Sequence, residues 1–254
     1  MKIDLKEGAV WLIDKPYEWT SFDVVRKLKY ALIKNTGDKK AKIGHAGTLD
    51  PLATGLLIVC VGKATKQIDR IQAGIKEYTG SFFLGTATPS YDRETSPGER
   101  MDISHIGKEE IERTAKSFIG EQEQQAPLYS AKLIDGKRAY EHARKGTEAE
   151  VKKHKITIYE FEITGIEIPL IHFRIQCSKG TYIRSIAHDF GIRLQAAAYL
   201  HDLRRTKSGE YDVNNAIPIE QLFEMLSGQS MEKKEHSKRA FLLENRNKNA
   251  TQED

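Results

Sequence analysis

The residue best placed to do chemistry is Asp50. It stands in the stretch GHAGTLDPLATGLLIVCVGKATK, from Gly44 to Lys66, where turn-forming residues (Gly44, Gly47, Thr54, Gly55) give way to six consecutive apolar residues, Leu56 to Val61. Pro51 has a fixed φ and biases the residue before it to an extended backbone, so the carboxylate is held close to whatever rigid element the apolar run forms. A carboxylate so placed can attack an electrophilic carbon or take up a proton. Other chemistries are poorly supplied. The glycines of this stretch do not form G-x-G-x-x-G, and no lysine in it is followed by Ser or Thr as a phosphate loop requires. His45 and Asp50 have no further His, Cys or carboxylate at ligand spacing, so no metal is expected. Taken alone, an Asp-Pro pair initiates a turn far more often than it forms part of a catalytic site.

The elements that must position Asp50 follow from periodicity. Leu56 to Val61, bounded by Gly55 and Gly62, reads as a short strand buried on both faces. Ala9 to Ile13 reads as another strand, ended by Asp14-Lys15-Pro16. Thr20 or Ser21 then caps a helix whose Val24, Val25, Leu28, Ala31 and Leu32 share a face. Asn35 to Ala41 is polar and reads as a mobile loop. Lys63 to Gly74 looks helical, Lys76 to Leu84 a strand, Gly85 to Arg100 a long loop and Lys108 to Ile119 a helix. Tyr159, Phe161 and Ile163 alternate with polar residues, as do Phe173, Ile175 and Cys177, which predicts two half-buried strands around Ile168-Pro169-Leu170. A capped helix start is expected at Lys179 to Gly191, a strand at Leu203 to Gly209 and a short amphipathic helix at Pro218 to Leu226.

Gly44-His45-Ala46-Gly47-Thr48-Leu49-Asp50-Pro51-Leu52-Ala53-Thr54-Gly55 resembles the active-site signature of the TruB family of tRNA pseudouridine synthases. Further matches extend the resemblance over roughly residues 9 to 213. They are Asp14-Lys15-Pro16 with Trp19-Thr20-Ser21, Lys76-Glu77-Tyr78, and Gln124 to Lys132 (Q-x-P-x-Y-S-A-x-K). The helix start Gly136 to Glu141 (G-K-R-x-Y-E), Lys179 to Arg184 (K-G-T-Y-I-R) and Leu203 to Gly209 (L-R-R-T-x-S-G) complete the set. One position departs. Glu18 stands where the family has glycine, which puts the local turn geometry in question.

The resemblance implies an α+β pseudouridine synthase fold, a mixed, mainly antiparallel sheet flanked by helices. It implies a catalytic domain at residues 1–226, with 227–254 a polar tail, flexible or partly helical. The reaction it implies is isomerisation of a uridine in the T loop of tRNA (position 55), with no cofactor. Asp50 would be the catalytic carboxylate, acting either on the sugar carbon or on a sugar proton, and Arg184 its ion partner in a water-poor pocket. Tyr78 would present an aromatic face and a hydroxyl to the uracil. Tyr182 and Leu203 would line the pocket, and His45 would stack in the opened RNA loop. Without the resemblance, Tyr78 reads as a half-buried strand residue, Arg184 as a surface or interdomain salt bridge and Leu203 as core.

Composition sets the outer bounds. A chain of 254 residues with 39% hydrophobic and 30% charged residues is long enough to bury a substantial core. Its longest apolar run is far short of a membrane span and MKIDLKEGAV has no signal-peptide core, so a cytoplasmic protein without membrane contact is expected. Cys60 and Cys177 lie in strand-like patterns and read as buried thiols. The net charge of +4 permits a polyanionic partner. The basic run from Lys137 to Lys155 and the Arg204-Arg205 pair are expected to face tRNA phosphates, although such a run alone is more often a solvated face. No guide RNA and no obligatory protein partner are expected, because the long basic extensions of guide-dependent relatives are missing, as is the C-terminal RNA-binding domain of longer ones.

Overall fold

The computed structural model describes residues 3–127, 133–134, 137–138 and 153–228. A ten-stranded sheet forms the centre. In chain order its strands are β1 (Ala9–Lys15), β2 (Ile43–His45), β3 (Ala53–Val61), β4 (Lys76–Leu84) and β5 (Gly120–Gln124), then β8 (His154–Glu167), β9 (Leu170–Cys177), β10 (Ala198–Ser208), β11 (Tyr211–Asp212) and β12 (Ile217–Pro218). β6 (Leu133–Ile134) and β7 (Lys137–Arg138) make a separate ladder. The main path runs β12-β1-β3-β10-β4-β9-β8-β5, with β2 on β3 and β11 on β10. Among the described strands only β1 with β12 and β3 with β10 pair in parallel, so the sheet is mixed and mainly antiparallel, as expected. Helices α1 (Ser21–Thr36), α2 (Ile68–Gln72), α3 (Lys108–Lys116), α4 (Ile183–Arg193) and α5 (Ile219–Ser227) flank it.

β3 is buried along its length from Gly55, with Leu57 and Val59 in the larger core and Leu56, Ile58 and Cys60 in a second, smaller one. That two-sided burial is why its apolar residues run without alternation. Thr20 caps α1 in a reciprocal box with Asp23, and both cysteines are buried and unpaired.

Several boundaries differ from expectation. α1 runs through Asn35 and Thr36 and ends at Gly37, whose φ of 73° supplies the left-handed cap, so the loop before β2 is shorter than its polarity suggests. Lys63 to Gly74 is broken into a 3₁₀ turn, Gly62–Gln67, and α2. α3 stops at Lys116, where the Ser117 hydroxyl donates to the Thr114 carbonyl. Tyr182, the residue before α4, makes no side-chain cap; the Gln124 amide instead bonds both of its backbone groups. Lys137–Arg138, expected in a helix start, pair with β6.

Tyr159 is exposed, against expectation. A register shift between Ile158 and Glu160 changes the phase of β8, so Ile156 and Ile158 face inward before it and Phe161 after it. Most of the basic run and of the Gln124 to Lys132 match, together with residues 229–254, lie outside the described residues.

Candidate active site

The segment before β3 is anchored at nearly every residue. Ala46 N–H donates to Ile58 O at 2.9 Å. The Arg205 guanidinium donates to Gly47 O at 3.0 Å, Thr48 O at 3.4 Å and Leu56 O at 2.8 Å. Ser21 Oγ accepts from Leu49 N at 2.8 Å and donates to Leu49 O at 3.0 Å. Lys15 Nζ donates to Pro51 O at 3.2 Å and to the carbonyls of Pro16 and Trp19. Two buried cations therefore hold the backbone on either side of Asp50, each satisfied by carbonyl dipoles in place of water. Gly55 has φ of 96°, and a Cβ there would lie 2.4 Å from Arg205 O, so β3 meets β10 only with glycine at this position.

Asp50 itself projects from this frame with its side chain 39% exposed, while Arg184, at the first turn of α4, is 4% exposed. Arg184 Nε lies 2.9 Å from Asp50 Oδ2. The expected pair is present, with its guanidinium half buried and its carboxylate half partly exposed. A second carboxylate shares the same guanidinium: Asp92 Oδ2 is 3.6 Å from Arg184 Nε, and Arg184 Nη1 lies 3.4 Å from Ser90 O. Burial pushes the Asp92 carboxyl above its usual range and Arg184 opposes that shift. Asp92 belongs to the loop Gly85 to Arg100, which packs inward through buried Thr86, Thr88 and Ser90.

Asp50, Leu52, Ala53, Asp92, Arg184, Leu200, Asp202 and Leu203 line one small pocket. Three of the six residues singled out from sequence, Asp50, Arg184 and Leu203, thus meet there. Tyr78 is buried on β4 opposite Arg205 of β10. Burial pushes its phenol above the usual range, against the lowering effect of Arg205. His45 is half-buried on β2, opposite Val59 of β3; burial and then Arg205 depress its pKa. Tyr182 is not part of the pocket lining. It is the residue before α4, its ring edge-on to His154 at 6.0 Å.

The Arg204-Arg205 pair does not face outward as a unit. Neighbouring strand residues point to opposite faces, so Arg205 enters the interior, 1% exposed, while Arg204 makes two hydrogen bonds to Asp14, at 2.9 and 2.7 Å. Asp92 and the anchoring roles of Lys15 and Arg205 are absent from the sequence reading. The resemblance around Lys15 and Arg205 marked both positions, but a buried aspartate in a polar loop leaves no periodic signal.

Residues 34–183 match the model of the TruB family pseudouridylate synthase, N-terminal domain. The tRNA pseudouridine synthase B of Flavobacterium johnsoniae is 56% identical over 214 residues, covering 84% of this chain and 93% of that protein. That of Chloroherpeton thalassium is 48% identical over 221 residues, covering 87% and 91%. Among solved structures, a chain of a Cbf5-Nop10-Gar1 complex superposes with a TM-score of 0.65 at 28% identity, over 89% of this chain and 58% of that one. Another, from an H/ACA RNP bound to a substrate RNA containing 2'-deoxyuridine, gives 0.62 at 26% identity, over 89% and 57%. The frame around Asp50, the signature it carries and these relatives agree, and the chain belongs to the TruB family of pseudouridylate synthases.

Proposed function

We infer that the protein is a tRNA pseudouridine synthase, an isomerase that converts a uridine of the T loop, at position 55, to pseudouridine. The observation that carries this reading is the Asp50 carboxylate 2.9 Å from Arg184 Nε, inside the family signature and at the mouth of a pocket. In the reaction the N1–C1′ bond breaks, the uracil turns, a C5–C1′ bond forms, and the C5 proton leaves as N1 gains one. Asp50 supplies the anionic group, by attack at the sugar carbon or by removing a sugar proton. Arg184 keeps it ionised once bound RNA has displaced water.

Tyr78 is the group for the C5 side of the base. Its phenol borders Arg205, so a proton can be taken up or given back beside a fixed cation. Leu203 supplies an apolar wall, and Tyr182 and His45 contact the RNA around the flipped nucleotide. The enzyme works in the cytoplasm, where its tRNA is, and no helix among the described residues is long and apolar enough to cross a membrane.

A guide-dependent reading draws on the H/ACA RNP structure above, of whose chain this one covers 57%. One assay separates it from the first reading. Pure protein, given unmodified tRNA transcript without guide or cofactor, is expected to release tritium from 5-tritiated uridine. Asp50→Asn, which removes the charge and keeps the volume, is expected to release none while binding tRNA within about tenfold of wild type, or about 1.4 kcal/mol. Turnover by the variant would remove Asp50 from the chemistry. Binding without turnover by wild type would favour a guide-dependent enzyme or a non-catalytic RNA-binding protein.

A further inference from the structure

Tyr91 adopts φ of 61°, the left-handed region that a residue with a bulky side chain rarely occupies. Such strain persists only where the surroundings over-determine it, and here the surroundings are visible. The Tyr91 ring lies flat on the His188 imidazole, with centroids 4.0 Å apart and planes 10° from parallel. Its backbone is fastened at both ends: Tyr91 N donates to Thr88 O at 3.1 Å, and Leu200 N donates to Tyr91 O at 2.9 Å.

His188 stands four residues after Arg184 on α4, on the same face one turn along. The loop is therefore gripped by the helix at two successive turns, by Arg184 through Asp92 and Ser90 O, and by His188 through Tyr91. Asp92 follows Tyr91 directly, so the φ of Tyr91 sets the direction in which the Asp92 carboxylate leaves the chain. That carboxylate and Asp50 share one atom, Arg184 Nε, at 3.6 and 2.9 Å.

We propose that the Tyr91–His188 stack is a positioning clamp that holds Asp92 at its distance from Arg184 and so sets how the guanidinium is presented to Asp50. Tyr91 touches no reacting atom; it acts through Asp92. The proposal rests on the function inferred above and adds a residue pair to it. A purely structural stack would contribute to stability alone, and one variant separates the two roles. Tyr91→Gly removes the ring and also relieves the left-handed φ, so its effect on stability is partly offset while the clamp is lost.

The test uses the full chain and tRNA transcript. Tyr91→Gly is expected to slow single-turnover pseudouridine formation at least tenfold, with tRNA Kd within threefold and a thermal midpoint within a few degrees of wild type. Tyr91→Phe, which keeps the ring, restores the rate to within about threefold. In an Asp92→Asn background the further loss from Tyr91→Gly falls below twofold, because the carboxylate to be positioned is gone. A wild-type rate for Tyr91→Gly, or an equal loss in both backgrounds, overturns the clamp. Carboxyl ¹³C titration of Asp92 gives a readout that needs no turnover. Its midpoint is expected to move in Tyr91→Gly and not in Tyr91→Phe, and an unmoved midpoint in Tyr91→Gly also overturns the clamp. Absence of wild-type turnover would count against the inferred function, and the titration would still decide the clamp.

Discussion

At position 18 a glutamate holds φ of 66° with its side chain in solvent, in the turn between Lys15 and the cap of α1. The left-handed turn that the glycine implied by the resemblance would adopt freely is therefore kept here against steric resistance. Left-handed backbone costs a non-glycine residue about 1–2 kcal/mol, and the greater freedom of an unfolded glycine returns about 0.5–1 kcal/mol of that. Glu18→Gly is thus expected to stabilise the protein by about 0.5–1 kcal/mol, read as a higher urea midpoint at unchanged slope. A lower midpoint would mean that the glutamate makes a compensating interaction in solution. The departure at this position was legible in the sequence, whereas its conformation was not, since residue type alone does not fix φ. Arg205 shows the converse. Two adjacent arginines look like one basic patch in a sequence, but strand alternation separates them, and the buried one carries three backbone carbonyls of the site's frame.

The elements that hold the pocket differ in how much of them periodicity can show. β3 and β9 have a run and an alternation that match their burial, and α1 has a capping box and a single apolar face. β8 departs from its pattern because register shifts between Ile158 and Glu160 and between Ile163 and Gly165 reset which residues point inward. A bulge adds a residue without changing the residue types around it, so alternation read straight through assigns Tyr159 to the wrong face. The consequence is measurable. Phe161→Ala, which empties a site packed against Phe82, Phe118, Phe173 and Phe190, is expected to cost about 3–5 kcal/mol. Tyr159→Ala, on the exposed side, is expected to cost about 0.5 kcal/mol or less. Comparable losses in the two variants would contradict the bulged register. The loop Gly85 to Arg100 shows the other limit. It reads as polar and irregular, and it folds inward to deliver Asp92 because its hydroxyls bond its own backbone, a pattern without a period.

Across the whole molecule the site is assembled from segments far apart in the chain, Asp50 before β3, Arg184 on α4 and Leu203 on β10. Nothing local in the sequence joins them. A contiguous signature identified Asp50, the resemblance supplied the others, and the parallel pairing of β3 with β10 shows how they meet. The same assembly buries charge, and this gives the molecule a particular alkaline behaviour. Lys15 and Lys76 are both pulled down from 10.5 to about 8, mainly by burial. Between about pH 8 and 10.5 the unfolded chain therefore binds more protons at these two positions than the folded chain does, and stability rises with pH. The opposite sign comes from Cys177, pushed from 9.0 up to about 12 by burial, and from Tyr78, raised above 10; both retain protons in the folded state that the unfolded chain releases. The cysteines, Cys60 included, begin to act about a unit below pH 9 but release fewer protons there than the two lysines, so the lysines dominate the interval up to pH 9. The urea midpoint is expected to climb from pH 7.5 to pH 9 in the wild type and to climb less in Lys76→Met, which removes one of the two groups. A flat or falling midpoint in the wild type over that interval would show that the lysines are solvated in the folded protein, with Lys15 too loosely held to support the backbone beside Asp50.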